Sequence, residues 1–105
     1  MYSREYYIRC IRDYAQEYLI APRKRMPKGY FELWSYKKSA VKEIIFQINQ
    51  SDDNVIDIVQ SFVDRTLLYS RNCRTRKNRK MMHIMHEMGE DIMDFLYAME
   101  GEKNG

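Results

Sequence analysis

Apolar side chains recur every three or four positions along almost the whole chain, and that spacing narrows the fold more than any other feature. Tyr7, Ile11, Tyr14 and Tyr18 form one stripe, and Trp34, Val41, Ile44, Ile45 and Ile48 a second. Val55, Ile58, Val59, Phe62, Val63, Thr66 and Tyr69 form a third, and Met81, Ile84, Met85, Met88, Ile92, Phe95, Leu96 and Met99 a fourth. Each stripe covers one face of a helix and leaves charged residues opposite, which predicts amphipathic helices over about 3–20, 35–50, 54–69 and 79–100. Val55 to Val59 alone reads like a strand, but the pattern continues too far at helical spacing.

The connections agree. Pro22, Pro27 and Gly29 interrupt the segment 21–29, which predicts a loop carrying Arg23, Lys24, Arg25 and Lys28. Tyr30, Phe31, Leu33 and Trp34 make a run too short to assign, and Ser35 is a candidate N-cap for the second helix. Ser51, Asp52, Asp53 and Asn54 carry capping and turn chemistry, because short polar side chains accept bonds from the free amides of a helix start. Polar residues and arginines over 70–78 predict another loop, and 101–105 a frayed tail. Gly89, at the edge of the fourth stripe, costs about 1 kcal/mol relative to Ala unless a close helix approach offsets it. The expected architecture is all-α, a four-helix antiparallel bundle forming one domain over 1–105.

A chain of 105 residues has room for one core and none for a deep substrate cavity. Its four glycines are too scattered for a phosphate loop or dinucleotide fingerprint. There is no G-x-S-x-G elbow, and Cys10 and Cys73 lack a paired metal spacing, so both read as free thiols of a reducing compartment. Charged residues throughout the first twenty positions exclude an apolar span there, and the expectation is a cytoplasmic protein with no membrane partner. His83, His86, Glu87, Glu90, Asp91 and Asp94 are the tempting metal cluster. Lys80 stands three residues before His83, where a di-iron helix needs Glu, and the expected state is solvated His83–Glu87 and His86–Glu90 pairs. No enzyme activity, cofactor or metal is expected.

The net charge of +3 conceals a strong separation. Arg71, Arg74, Arg76, Lys77, Arg79 and Lys80 fall within ten residues that hold no acid, interleaved with Asn and Thr that can bond phosphates. In an antiparallel bundle this segment shares an end with Arg23, Lys24, Arg25 and Lys28, extended by Lys37 and Lys38. From Met81 to Glu102 there is no Lys or Arg, so the last helix is basic at its start and acidic along Glu87, Glu90 and Asp94, the reverse of what the helix dipole favours. Met82, Met93 and Tyr97 beside the fourth stripe, with Phe46 on the second helix, suggest an adaptable contact surface. The expected function is therefore a non-enzymatic interaction module. Protein contact, through self-association or another protein, stands slightly ahead of DNA or RNA binding at the basic loops.

Three landmarks occur in order: Trp34 with Glu43-Ile44-Ile45, the amphipathic run ending in Asp64 to Tyr69 with Asn72, and Asp91-Ile92-Met93-Asp94-Phe95-Leu96. This pattern resembles a group of small all-helical accessory proteins of Gram-positive phages and integrative elements, though Ser51 to Asn54 stands where that group has a proline pair. The resemblance implies an all-helical accessory protein and brings no activity with it.

Overall fold

The computed structural model describes residues 2–20 and 24–104. Among these residues the chain is all-helical, with five helices: α1 (Arg4–Tyr14), α2 (Gln16–Leu19), α3 (Lys28–Gln50), α4 (Val55–Asn72) and α5 (Arg76–Asn104). Four were expected. The first predicted helix divides at Ala15, whose φ of −102° and ψ of 19° leave the helical region, and the break turns α2 toward the start of α3.

Local chemistry explains the remaining boundaries. Ser3 caps α1 by accepting from the Tyr6 amide at 3.2 Å. The second predicted helix starts seven residues before 35, at Lys28. Pro27 has no N–H to leave unpaired, and its carbonyl takes the first helical bond from the Phe31 amide at 3.0 Å. Ser35 is thus interior to α3, not its cap. Asn54 behaves as expected, its side chain accepting from the amides of Ile56 at 2.8 Å and Asp57 at 3.4 Å. Thr75 does the same for α5, accepting from the Asn78 amide at 3.2 Å. The expected loop 70–78 therefore shrinks to Cys73–Thr75, and α5 continues past the expected end at Glu100 to Asn104.

Contacts between the helices fix which of their ends meet. The Arg4 guanidinium donates to the carbonyls of Ile48 and Ser51 and, at 2.6 Å, of Asp53, so α1 starts where α3 ends. A cation there also suits the negative end of the α3 dipole. At the opposite end Trp34 Nε1 donates to the Glu17 carbonyl at 3.0 Å. Tyr7 donates to the Glu100 carboxylate, and the rings of Tyr14 and Phe95 stack at 4.5 Å, which lays α1 along the second half of α5.

The tightest contact joins α4 to α5. A methyl built on Gly89 would sit 2.9 Å from Phe62 Cδ1 and 3.1 Å from Val63 Cγ2, so the close approach that offsets this glycine's helix cost is present. Ile11, Val41, Ile44, Ile48, Val59, Met88, Ile92 and Leu96 fill the core between the helices. Because α5 packs against α1, α3 and α4, its buried arc is wider than one stripe. Met93, expected on the surface, is only 6% exposed. Tyr14 and Tyr69, expected inward, are exposed.

His86 is the second correction on α5. It is 8% exposed, where a solvated side chain was expected. Nδ1 donates to the Val63 carbonyl at 2.8 Å, with Thr66 Oγ1 at 3.4 Å, and Nε2 lies 2.9 Å from the Glu90 carboxylate. Both ring nitrogens face acceptors. The side chain ties α5 to α4, while His83 keeps to the surface and pairs with Glu87 at 3.0 Å, as expected.

Candidate functional site: the basic end

The end formed by α2, the start of α3, the end of α4 and the start of α5 collects the basic residues. The exposed ion pair of Lys80 with Glu32, at 3.4 Å, links the second turns of α3 and α5. Lys24, Arg25 and Lys28 therefore share an end with Arg71, Arg74, Arg76, Lys77, Arg79 and Lys80, all exposed. Arg23 lies outside the described residues.

The local fold holds the second group more firmly than a loop would. Arg76, Lys77, Arg79 and Lys80 sit on the opening turns of α5, and Arg71 on the last turn of α4. Arg74 alone stands in the connection. Arg79 also donates to the Cys73 carbonyl at 3.1 Å, which braces that connection. Between the two helices lies a cleft of about 450 Å³ lined by Ser70, Arg71, Arg76, Arg79, Lys80 and His83. Neither α3 nor α5 has an acid in its first turn. The positive ends of two helix dipoles thus coincide with a crowd of cations, a combination that favours anions.

On the other side of the α3 start is a larger groove of about 720 Å³, its walls made by Glu17, Tyr18, Lys24, Arg25, Met26, Pro27, Tyr30, Leu33, Trp34 and Lys37. Tyr30, Leu33, Trp34 and Lys37 recur at helical spacing and so share the groove face of α3. Lys37 Nζ lies 5.4 Å from the centre of the Tyr18 ring, and Lys38 Nζ 4.9 Å from that of Trp34, both within cation–π range. Burial first, and then a hydrogen bond with Glu17, raise the Tyr18 phenol above its ordinary value, with Lys37 opposing. Lys37 and Lys38 stand in the third turn of α3, not the first turn expected of them, because the helix starts earlier.

Sequence reasoning missed this groove. Its signal was the aromatic run Tyr30, Phe31, Leu33 and Trp34 directly behind a basic segment, left unassigned while the start of the helix was undecided.

The expected partner surface fares differently. Phe46 and Tyr97 are exposed at 53% and 55%, and Glu87, Glu90 and Asp94 are exposed too. With Met93 in the core, the lateral line is reduced to the half-buried Met82 and to Tyr97, fifteen positions and roughly 22 Å apart along the axis. Met82 instead borders a small groove with Tyr69 and Met85.

Among the described residues no group of three or more His, Cys, Asp or Glu side chains is placed to hold a metal ion, and no helix is long and apolar enough to cross a membrane. No family model, curated protein or solved structure matches the chain.

Proposed function

We propose that this protein is a non-enzymatic interaction module, an antiparallel helical bundle that binds nucleic acid through phosphate contacts at its basic end. One observation carries the reading: α3 and α5, joined near their starts by the Lys80–Glu32 pair, hold no acid in their first turns, and Lys24, Arg25, Lys28, Arg71, Arg74, Arg76, Lys77, Arg79 and Lys80 are exposed at the same end. Lys28, Arg71, Arg76, Lys77, Arg79 and Lys80 stand on helix turns, so their backbone is already ordered and less freedom is lost when phosphates bind than from a loop. Such contacts position a nucleic acid without reading its sequence.

The test is a titration of labelled DNA and RNA at rising salt. Each neutralised phosphate releases counterions, and six of them imply a loss of about 10³-fold in affinity between about 50 and 200 mM salt. Glu in place of Arg74, Arg76 and Lys77 weakens binding to every sequence and flattens the salt slope. Absence of binding at low salt defeats the reading.

Protein contact is the second reading, favoured by the exposed acids Glu87, Glu90 and Asp94 beside Tyr97 on α5. Their charge is opposite to that of the basic end, so head-to-flank association of two copies is electrostatically favourable. Light scattering decides it, since a strict monomer at high concentration rules out self-association.

A further inference from the structure

We propose that the groove between α2 and α3 receives an unpaired nucleobase, which makes the preferred ligand of the basic end a single strand and not a duplex. The inference rests on the nucleic-acid reading above and adds a substrate class to it. A volume of about 720 Å³ falls within the range of small-molecule sites. Its chemistry is mixed in the way that a nucleotide is mixed. Tyr18, Tyr30, Leu33 and Trp34 supply flat and apolar surface, and Lys24, Arg25 and Lys37 stand around them. A phosphate cradle alone needs no aromatic floor, and an apolar peptide groove needs no cations at its margin.

Tyr30 is 68% exposed, an unusual position for a large ring on a helix that has a core to join. Trp34 follows one turn later, its indole held by the bond to the Glu17 carbonyl at 3.0 Å, with Phe31 5.9 Å from it, centre to centre. A ring fixed in this way offers a π face at little entropic cost, and base-on-aromatic stacking is the usual way to hold a strand without reading its sequence. In a duplex the bases face one another and are closed to such rings. Glu17 is the one acid among the described residues that line the groove, against the three cations Lys24, Arg25 and Lys37.

Trp34 is the only tryptophan of the chain, so its fluorescence reports on the groove directly. The full chain is titrated with a twelve-residue oligothymidylate, a duplex of equal length, inorganic polyphosphate and polyglutamate. The expected result is quenching by the single strand alone, with at least tenfold tighter binding than to the duplex. Tyr30→Ala, at an exposed position that leaves the fold intact, lowers single-strand affinity about tenfold, within what one stacked base supplies, and leaves polyphosphate binding unchanged. Trp34→Leu does the same, read by anisotropy of a labelled strand, with circular dichroism to confirm folding.

Equal binding of strand and duplex without quenching overturns the inference and leaves the basic-end reading intact. Absence of binding to any nucleic acid overturns both. Quenching by polyglutamate at the same concentrations as by the strand assigns the groove to an acidic protein and also overturns the inference.

Discussion

Gly89 governs how closely α4 and α5 approach. A methyl group there meets Phe62 and Val63 inside ordinary van der Waals distance, and such overpacking costs about 1–3 kcal/mol. Ala is better than Gly in a helix by about 1 kcal/mol. Gly89→Ala is therefore expected to lower stability by about 1 kcal/mol in urea denaturation, the difference of those two effects. Gly101→Ala, in the same helix with open space around the added methyl, should gain up to about 1 kcal/mol. Gly89 was visible in the sequence as a question, since its helix cost called for an offset. His86 was not, because its burial depends on the Val63 carbonyl, brought to it from α4. Removing the ring with His86→Ala should cost about 1–3 kcal/mol by the same assay. At alkaline pH Tyr14 matters: burial first, and then Asp91, raise its phenol. The folded state then holds the proton more tightly than the unfolded one. Its contribution is complete below about pH 10 and is lost as pH rises through that value and on to the raised folded one. A small fall in the urea midpoint above about pH 10, blunted in Tyr14→Phe, is the expected sign.

At the scale of elements, periodicity located the helices and misplaced several of their ends. The stripes of α4 and α5 were legible because each packs one broad face, and Asn54 marks the start of α4, whereas the Thr75 cap of α5 stood inside the expected loop 70–78. The start of α3 was not legible, since its first two turns have little core to face and show groove-lining aromatics in place of a stripe. Nor was the break at Ala15, which comes from docking α2 on α3 and not from any helix-breaking residue. Asn54 gives a clean test of the capping argument. Asn54→Ala is expected to lose about 1 kcal/mol and Asn54→Gly only a few tenths, because Gly tolerates the cap backbone while Ala supplies neither the bond nor the conformation. Equal losses in the two variants would locate the effect outside the cap.

For the molecule as a whole, the separation of charge was legible in the sequence, and the fold sharpens it by bringing the starts of α3 and α5 together through Lys80 and Glu32. What the sequence could not supply was the groove beside them, which needs the tertiary approach of α2 to α3. The arrangement works against stability. Cations in the first turn of a helix oppose its dipole by about 0.3–1 kcal/mol each, and Arg76 and Lys77 stand in the first turn of α5. Among the described residues neither has a side-chain hydrogen bond or ion pair, in contrast to Arg79 and Lys80. If these residues are held at that position for an anionic partner, reversing their charge should separate stability from binding. Arg76→Glu with Lys77→Glu is expected to raise stability in urea denaturation by about 1–4 kcal/mol for the pair at low salt, because each reversal removes an opposing charge and adds a favourable one, while weakening nucleic-acid binding severalfold or more. Arg79→Glu should behave differently, because its bond to the Cys73 carbonyl gives it a structural part, and its stability should fall. Loss of stability in the double variant would make the cations of α5 structural and withdraw the reason for expecting a phosphate partner there.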